Sequence, residues 1–478
     1  MQFSVVNYKK TIEEGLRLDS DFYRDDYLQI EQKLSKYDNL SEITNTYELH
    51  SNGAFADIFR ILHKDNSLEI RYIRSENVGD FFINGDVDFI SSYAHKNLEK
   101  TQTKLGDILT ARTGKVGGAS VVTNEWVNVN SNQNVVNIRI KNKAVISPNY
   151  ITTFLNTYYG IKQFHRASTG NVQPWLNLSL LRKVKIYIAS FKFQLQISNL
   201  IDKALFVSDQ SKSLYSQAEK LLLEKLGLIN WKPKHELTFI KKYSDMQKSD
   251  RFDAEFYEPK YEEIVLAIKK YKNGFDELNK LVIPKKSIEP GSEAYQENGI
   301  PFIRVSNLSK FEISDNNQQF ITEELYSQLK NLQPKQGEIL LSKDATPGMA
   351  YYLNEEPQKM IVSGGILRLK MNSQKASPEY LTLVLNSVIV QKQIERDAGG
   401  SIINHWRPDQ INATLIPILK KEKQEEIKKL IEESFKNRYL SKSLLEIAKE
   451  GVEIAIEKNE AEAEKWINEQ ISQLNINL

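Results

Sequence analysis

The chain has 478 residues, 40% of them hydrophobic, with 20 Phe, 22 Tyr, 5 Trp and no Cys. This excludes a disulfide framework and a thiolate zinc site, and no apolar run approaches the roughly 18–20 residues of a membrane span. Lys+Arg 64 against Asp+Glu 62 leaves a formal charge of +2, so any nucleic-acid surface must come from local segregation of charge.

The N-terminus lacks the charged-then-apolar order of a signal peptide, and with the missing cysteines this leads us to expect a cytoplasmic protein. A short alternating stretch (Phe3, Val5) precedes an amphipathic helix predicted over 22–36. Strand-like segments with Gly and Asn punctuation follow at 108–109, 120–122 and 135–140. Pro148 opens a helix running to about Arg166, because Pro suits a first helical turn. A glycine-centred loop (Ser168, Thr169, Gly170, Asn171) and an alternating strand at 184–188 close the first unit.

The period then becomes helical. Ile197, Leu200, Ala204, Val207, Ser211, Leu214, Ala218 and Leu221 step by three and four, forming a heptad seam. Gly227 and Pro233 end that helix. Strands at 339–341 and 366–369, a helix from Pro378, a loop at Gly399-Gly400-Ser401 and a strand at 415–418 come next. A second seam then reads Ile427, Leu430, Ser434, Asn437, Ser441, Leu444 and Ala448.

This order is a repeat. Arg17-Leu18-Asp19-Ser20-Asp21-Phe22-Tyr23 returns as Arg251-Phe252-Asp253-Ala254-Glu255-Phe256-Tyr257, a shift of 234. Downstream the shift settles at 230: Arg74 and Asn77 return as Arg304 and Asn307, Ser147-Pro148-Asn149-Tyr150 as Ser377-Pro378-Glu379-Tyr380, and Gln194 as Gln424. The expected architecture is α+β, with two tandem pseudo-two-fold-related α/β units, each followed by a long helix. The expected segments are 1–190, a helix at 191–232, 233–419, and a second helix at 420–478. A lone helix with one apolar stripe needs a partner. The two are therefore expected to pair as an antiparallel coiled coil, with Ser211 and Ser441 setting register at some cost in stability. An approximate two-fold suits a target that is itself two-fold, such as duplex DNA.

Enzymatic signals mostly fail. Arg112-Thr113-Gly114-Lys115 looks like half a phosphate-binding loop, but Leu109 and Val116 break the required spacing. The six histidines show no metal-ligand pairing. Asp409 with Glu426 and Lys428 mimics an acidic-Lys nuclease signature, yet Ile427 between them belongs to the helical seam. The expectation is no catalytic residue, no metal site and no cofactor in this chain.

What remains suits DNA reading. Between 101 and 141, Lys104, Arg112, Lys115, Arg139 and Lys141 outnumber Asp107 and Glu125. In the loop around Gly114, Arg112 and Lys115 are expected to reach outward beside Thr113, Arg towards guanine and Lys towards phosphate. Asn132, Gln133 and Asn134 offer the amide pairs that match adenine edges. The second unit places Lys343, Asp344, Thr346 and Ser363 at the same positions. A third cluster holds Ser168, Thr169, Asn171 and Gln173, matched by Ser401, Asn404, His405 and Arg407. Arg74, Arg304 and Ser306 complete the candidates. Trp175 and Trp406 are aligned as matching core anchors. For each loop residue the competing reading is a plain turn.

Several pieces together resemble the specificity subunit of type I restriction–modification enzymes: 301–307 (Pro-Phe-Ile-Arg-Val-Ser-Asn), 337–343 (Gly-Glu-Ile-Leu-Leu-Ser-Lys), 377–381 (Ser-Pro-Glu-Tyr-Leu), 400–403 (Gly-Ser-Ile-Ile), and the run from Leu415 into the helix with Gln424, Ile427 and Ile431. The first half carries weaker copies, with Arg71-Tyr72-Ile73-Arg74 in place of the usual Pro-Phe-Ile-Arg form. The resemblance implies a prokaryotic, non-catalytic protein. It would have two target recognition domains, each reading one half of a split, asymmetric double-stranded DNA site, with paired helices fixing the gap between halves. It also implies two modification (methyltransferase) subunits that carry adenosylmethionine, and two restriction subunits that join for cleavage with ATP and Mg, with no membrane partner. A scaffold whose partners alone touch DNA, and a stand-alone nuclease using Asp409 and Glu426, are the competing readings.

Overall fold

The computed structural model describes residues 6–13, 18–65, 67–114, 116–170, 174–233, 236, 238–249, 251–398 and 404–476. Chain contacts divide it into two compact units, Met1–Ser208 with Arg438–Leu478, and Asp209–Asn437. Both divisions fall inside the long helices. Each helix therefore gives one half of its length to each unit, in place of the separate helical segments expected at 191–232 and 420–478.

The core of the first unit is a five-stranded sheet in the order Thr44–Tyr47, Val135–Ile140, Ile108–Ala111, Ala119–Val121, Asp80–Phe81. Ile108, Leu109, Ala111, Val135, Val136 and Ile138 are all fully buried. These two central strands read as continuous apolar runs because both faces are covered. A three-stranded sheet joins Asp88–Ile90, Ile70–Ile73 and Asn130–Ser131. The second unit repeats the plan: Val282–Lys285, Ile366–Met371, Ile339–Ser342 and Ala350–Tyr352 in one sheet, Gln319–Ile321, Ile300–Ile303 and Ile361–Val362 in another.

The helix expected from Pro148 to about Arg166 is two helices, Pro148–Asn156 and Tyr158–Ala167, as its counterpart is Pro378–Asn386 and Val388–Asp397. Ser147 caps the first by accepting from Tyr150 N, and Thr157 caps the second by accepting from Gly160 N. The helix expected at 22–36 is Asp25–Leu34 behind a short turn at Ser20–Tyr23.

Duplicated polar residues hold both cores. Tyr150 Oη donates to Tyr187 O (2.8 Å) as Tyr380 Oη donates to Pro417 O (2.7 Å). Asn156 Nδ2 donates to Ala119 O while its Oδ1 accepts from Ala119 N, and Asn386 treats Ala350 identically. Gln194 accepts from Ser147 N and donates to Ala189 O; Gln424 does the same with Ser377 N and Leu419 O. Buried amides are stable here because every bond is answered.

The long helices run over Phe191–Lys225 and Lys421–Glu457 and pack antiparallel. In the first unit Ser441 Oγ donates to Ala204 O (2.8 Å), and in the second Ser434 Oγ donates to Ser211 O at the same distance. The antiparallel pairing is the one expected; within it the seam serines bond backbone carbonyls, and Ser211 Oγ also meets Ser434 Oγ (3.1 Å). The seam itself departs from strict heptads. Past Ser211 the buried residues are Tyr215, Ala218 and Leu222, not Leu214 and Leu221, and on the partner helix Ile431 is buried where Leu430 was expected. The step from 211 to 222 is eleven residues, closer to the natural helical period than seven is.

The second helix also ends earlier than expected. Asn459 starts a new helix, Glu460–Gln473, by accepting from Glu462 N. That helix belongs to the first unit, where Glu460 accepts from Ser190 N (2.9 Å) and Tyr187 Oη (2.8 Å). Among the described residues no helix is long and apolar enough to cross a membrane.

Candidate nucleic-acid interface

In each unit the candidate segments are joined in one chain of backbone hydrogen bonds. In the first, Asn132 N donates to Ile73 O (2.9 Å), Arg112 N to Asn134 O (2.7 Å), and Leu176 N to Arg112 O (2.7 Å). Thr113 bridges Trp175, and Ser168–Thr169 pairs with Trp175–Leu176. In the second, Ser363 N donates to Ile303 O (2.8 Å), Lys343 N to Gly365 O (2.9 Å), and Trp406 N to Lys343 O (2.8 Å). Asp344–Ala345 pairs there with Asn404–His405. Segments far apart in sequence therefore form one edge twice over.

That stitching corrects one alignment. Leu176 and Trp406 are the equivalent residues, both buried, while Trp175 matches His405. Trp406 is the core anchor expected. Trp175 is not: it is 39% exposed, with the Arg112 guanidinium 4.4 Å above its ring.

The side chains differ from the expectation of outward-reaching cations. Arg112 is paired with Glu48, and both are mostly buried. A guanidinium held between a carboxylate and an indole does not reach outward as a free cation. Arg139 is bound to buried Asp107 through Nε (2.9 Å) and Nη2 (2.7 Å), and Lys141 Nζ donates to the carbonyls of Ser41 and Glu42. The basic excess of 101–141 is thus largely spent inside the unit.

Arg74 pairs with Glu76 and Asp88 and donates to Asp86 O; Arg304 donates to Asn317 O (2.6 Å). Asn77 and Asn307 bond the same loops through two carbonyls each. This Arg-x-x-Asn pair shapes a loop, a role the sequence reading missed although the duplicated spacing marked it. Ser363 is 4% exposed, so its side chain is not presented. Asn132 Oδ1 accepts from Asn134 N in a local turn, while Gln133 is exposed. Ser168 donates to His165 O and Thr169 to Trp175 O. Ser306 and Thr346 are exposed.

At the second edge, Lys343 pairs with Asp344, which accepts from His405 Nδ1 at 2.8 Å. Burial works to raise the Asp344 pKa, but hydrogen bonds from Lys343 and His405 outweigh it and hold the carboxyl below its ordinary value. Arg407 is exposed and paired with Asp409 (3.1 Å). Lys115, Asn171, Gln173 and Ser401 lie outside the described residues, as does the Asn404 side chain.

Asp409 and Glu426 are not brought together as a nuclease pair. Asp409 bonds Arg407, Glu426 bonds Lys423 (2.6 Å), and Lys428 faces Glu379 and Glu432. Among the described residues no cluster of three His, Cys, Asp or Glu could hold a metal.

No family model matches the sequence, and no curated protein matches it. Among solved structures, the chain is similar to the type I restriction–modification S subunit from M. genitalium: TM-score 0.36, 11% identity, covering 91% of this chain and 95% of that one. It is also similar to the HsdS subunit from Thermoanaerobacter tengcongensis, with TM-score 0.27 and 11% identity over 89% of this chain and 97% of that one. A third likeness is to a chain from a type I restriction–modification assembly, with TM-score 0.28 and 12% identity over 90% and 97%.

Proposed function

We propose that this chain is the DNA-reading specificity subunit of a type I restriction–modification complex, each unit reading one half of a bipartite site. The observation that carries the reading is the doubled edge: three matching backbone hydrogen bonds with different side chains, Glu48–Arg112–Trp175 in one unit and Lys343–Asp344–His405 in the other. A scaffold held constant beneath diverged side chains is what reading two unlike half-sites requires. Catalysis is assigned to partners: two modification subunits that bring adenosylmethionine, and restriction subunits that bring ATP and Mg chemistry. The long helices, each about 50 Å at 1.5 Å per residue, are assigned to fixing the half-site spacing and to docking those partners.

The test uses the full chain assembled with its methyltransferase partner. Trp175→Ala is expected to relax base preference in one half-site and His405→Ala in the other, each with about tenfold weaker specific binding. Specific binding unchanged by both variants would favour the scaffold reading, in which partners alone touch DNA.

A further inference from the structure

Behind the helix Tyr158–Ala167 the first unit holds a cavity of about 320 Å³. Its wall carries four cations, Lys162, Arg166, Lys183 and Lys185, beside the rings of Phe22 and Tyr27, and among the described residues Glu31 is the one carboxylate lining it. Lys162 is paired with Asp26 (2.7 Å) and Lys185 Nζ donates to Tyr37 O (3.0 Å). Arg166 is the buried member. Its Nε donates to Phe22 O (3.1 Å), its Nη1 to Glu31 (3.0 Å), and the guanidinium lies 4.3 Å from the Phe22 ring centre. Its Nη2 is buried with no partner. A buried donor left unanswered opposes folding until a partner meets it.

The second unit shows what answers it. Arg396 occupies the matching position and lies over Phe256 as Arg166 lies over Phe22. There Nε and Nη2 both donate to Asp397, at 2.6 and 3.1 Å. Asp397 stands where the first unit has Ala167, and Ala413 and Leu415 stand where it has Lys183 and Lys185. Both halves pair the guanidinium with one carboxylate of their own chain, Asp397 in the second unit and Glu31 in the first. In the first this leaves Nη2 without a partner, beside an open cavity and further cations.

We propose that this cavity is a docking site for an acidic peptide segment of a partner protein, whose carboxylate meets Arg166 Nη2 while an adjoining apolar side chain packs on Phe22 and Tyr27. A carboxylate is the expected group because it is the one the sister half supplies, and the aromatic wall suits a peptide better than a bare oxyanion. Cavities of about 300–1,000 Å³ are the usual size for enclosing such a ligand. This site goes beyond DNA reading and stands or falls separately from it.

The probe is the dipeptide N-acetyl-Leu-Asp-amide, blocked at both ends and titrated calorimetrically into the full chain. Binding is expected to weaken at least tenfold in Arg166→Gln and in Lys183→Ala/Lys185→Leu, which carries the sister residues. Ala167→Asp is expected to abolish it by filling the site, with circular dichroism confirming that each variant is folded. The surface double variant keeps the test decisive should either buried substitution fail to fold. Trp175→Ala, which probes the reading edge, is expected to leave dipeptide affinity unchanged. No binding, binding indifferent to these variants, or full displacement by inorganic phosphate or a short DNA duplex would overturn the proposal.

Discussion

The two candidate reading edges share the three backbone hydrogen bonds that join their segments and almost none of their side-chain chemistry. In the first, an acid holds an arginine over a half-exposed tryptophan. In the second, a lysine and a histidine converge on one aspartate. The frame is fixed by main-chain groups that cannot vary with sequence, which leaves the projecting side chains free to diverge. Under the proposed function, duplication followed by divergence is cheap at these edges and costly in the core beneath them.

The largest expected break of that symmetry is Gly118→Ala. Gly118 has φ +78, and an added Cβ would come within 2.1 Å of Gly79 O, whereas the equivalent Met349 already carries a side chain. We expect the variant to lose about 3 kcal/mol or more in urea unfolding of the full chain. A loss below 1 kcal/mol would mean that the two turns are not built differently.

Asn156→Ala and Asn386→Ala should cost nearly the same, about 2–4 kcal/mol each, since each removes matching buried hydrogen bonds. Unequal losses would show that the halves are held by different means. A smaller contrast lies at the turn of each edge, where Gly114 (φ +80) faces Ala345 (φ +60). Ala345→Gly should stabilise by up to about 1 kcal/mol by relieving left-handed strain, and Gly114→Ala should cost a similar amount. Thermal unfolding of both variants checks the opposite signs.

The mildest effect is in acid. Burial opposes ionisation of Glu395, but hydrogen bonds from Lys260, Lys392 and Tyr261 prevail and its pKa falls to about 2. A lowered carboxyl stabilises fully above the unfolded value of about 4.3 and loses that contribution as pH falls towards 2. The first unit has His165 at this place. Glu395→Gln should therefore flatten the pH dependence of stability between about 4.3 and 2, seen by acid titration of circular dichroism; an unchanged slope would contradict the assignment.

The repeat was legible because Tyr150, Asn156 and Gln194 and their copies are buried amides and hydroxyls whose partners are backbone atoms, so they could not drift. The helix pair was legible from its stripe and its serines. Other features escaped for physical reasons. The Glu48–Arg112 pair spans 64 residues, and no local pattern announces a non-local ion pair, so Arg112 was expected to point outward. The offset of Trp175 from Trp406 is a single residue. In a strand pair one residue exchanges the buried and exposed faces, and only the hydrogen bonds of Arg112 and Lys343 to Leu176 and Trp406 reveal it. The break before Glu460 did leave a signal, Asn459 with Glu462 three residues on, the usual start of a helix.

The account rests on two equivalent edges reading separate halves of one site. Exchange of residues 1–190 for the matching unit of a related protein, followed by mapping of the adenines methylated by the assembled complex, tests this most directly. The predicted result is a new sequence in one half-site, with the other half-site and the spacing retained. Both halves changing together, or neither, would contradict it.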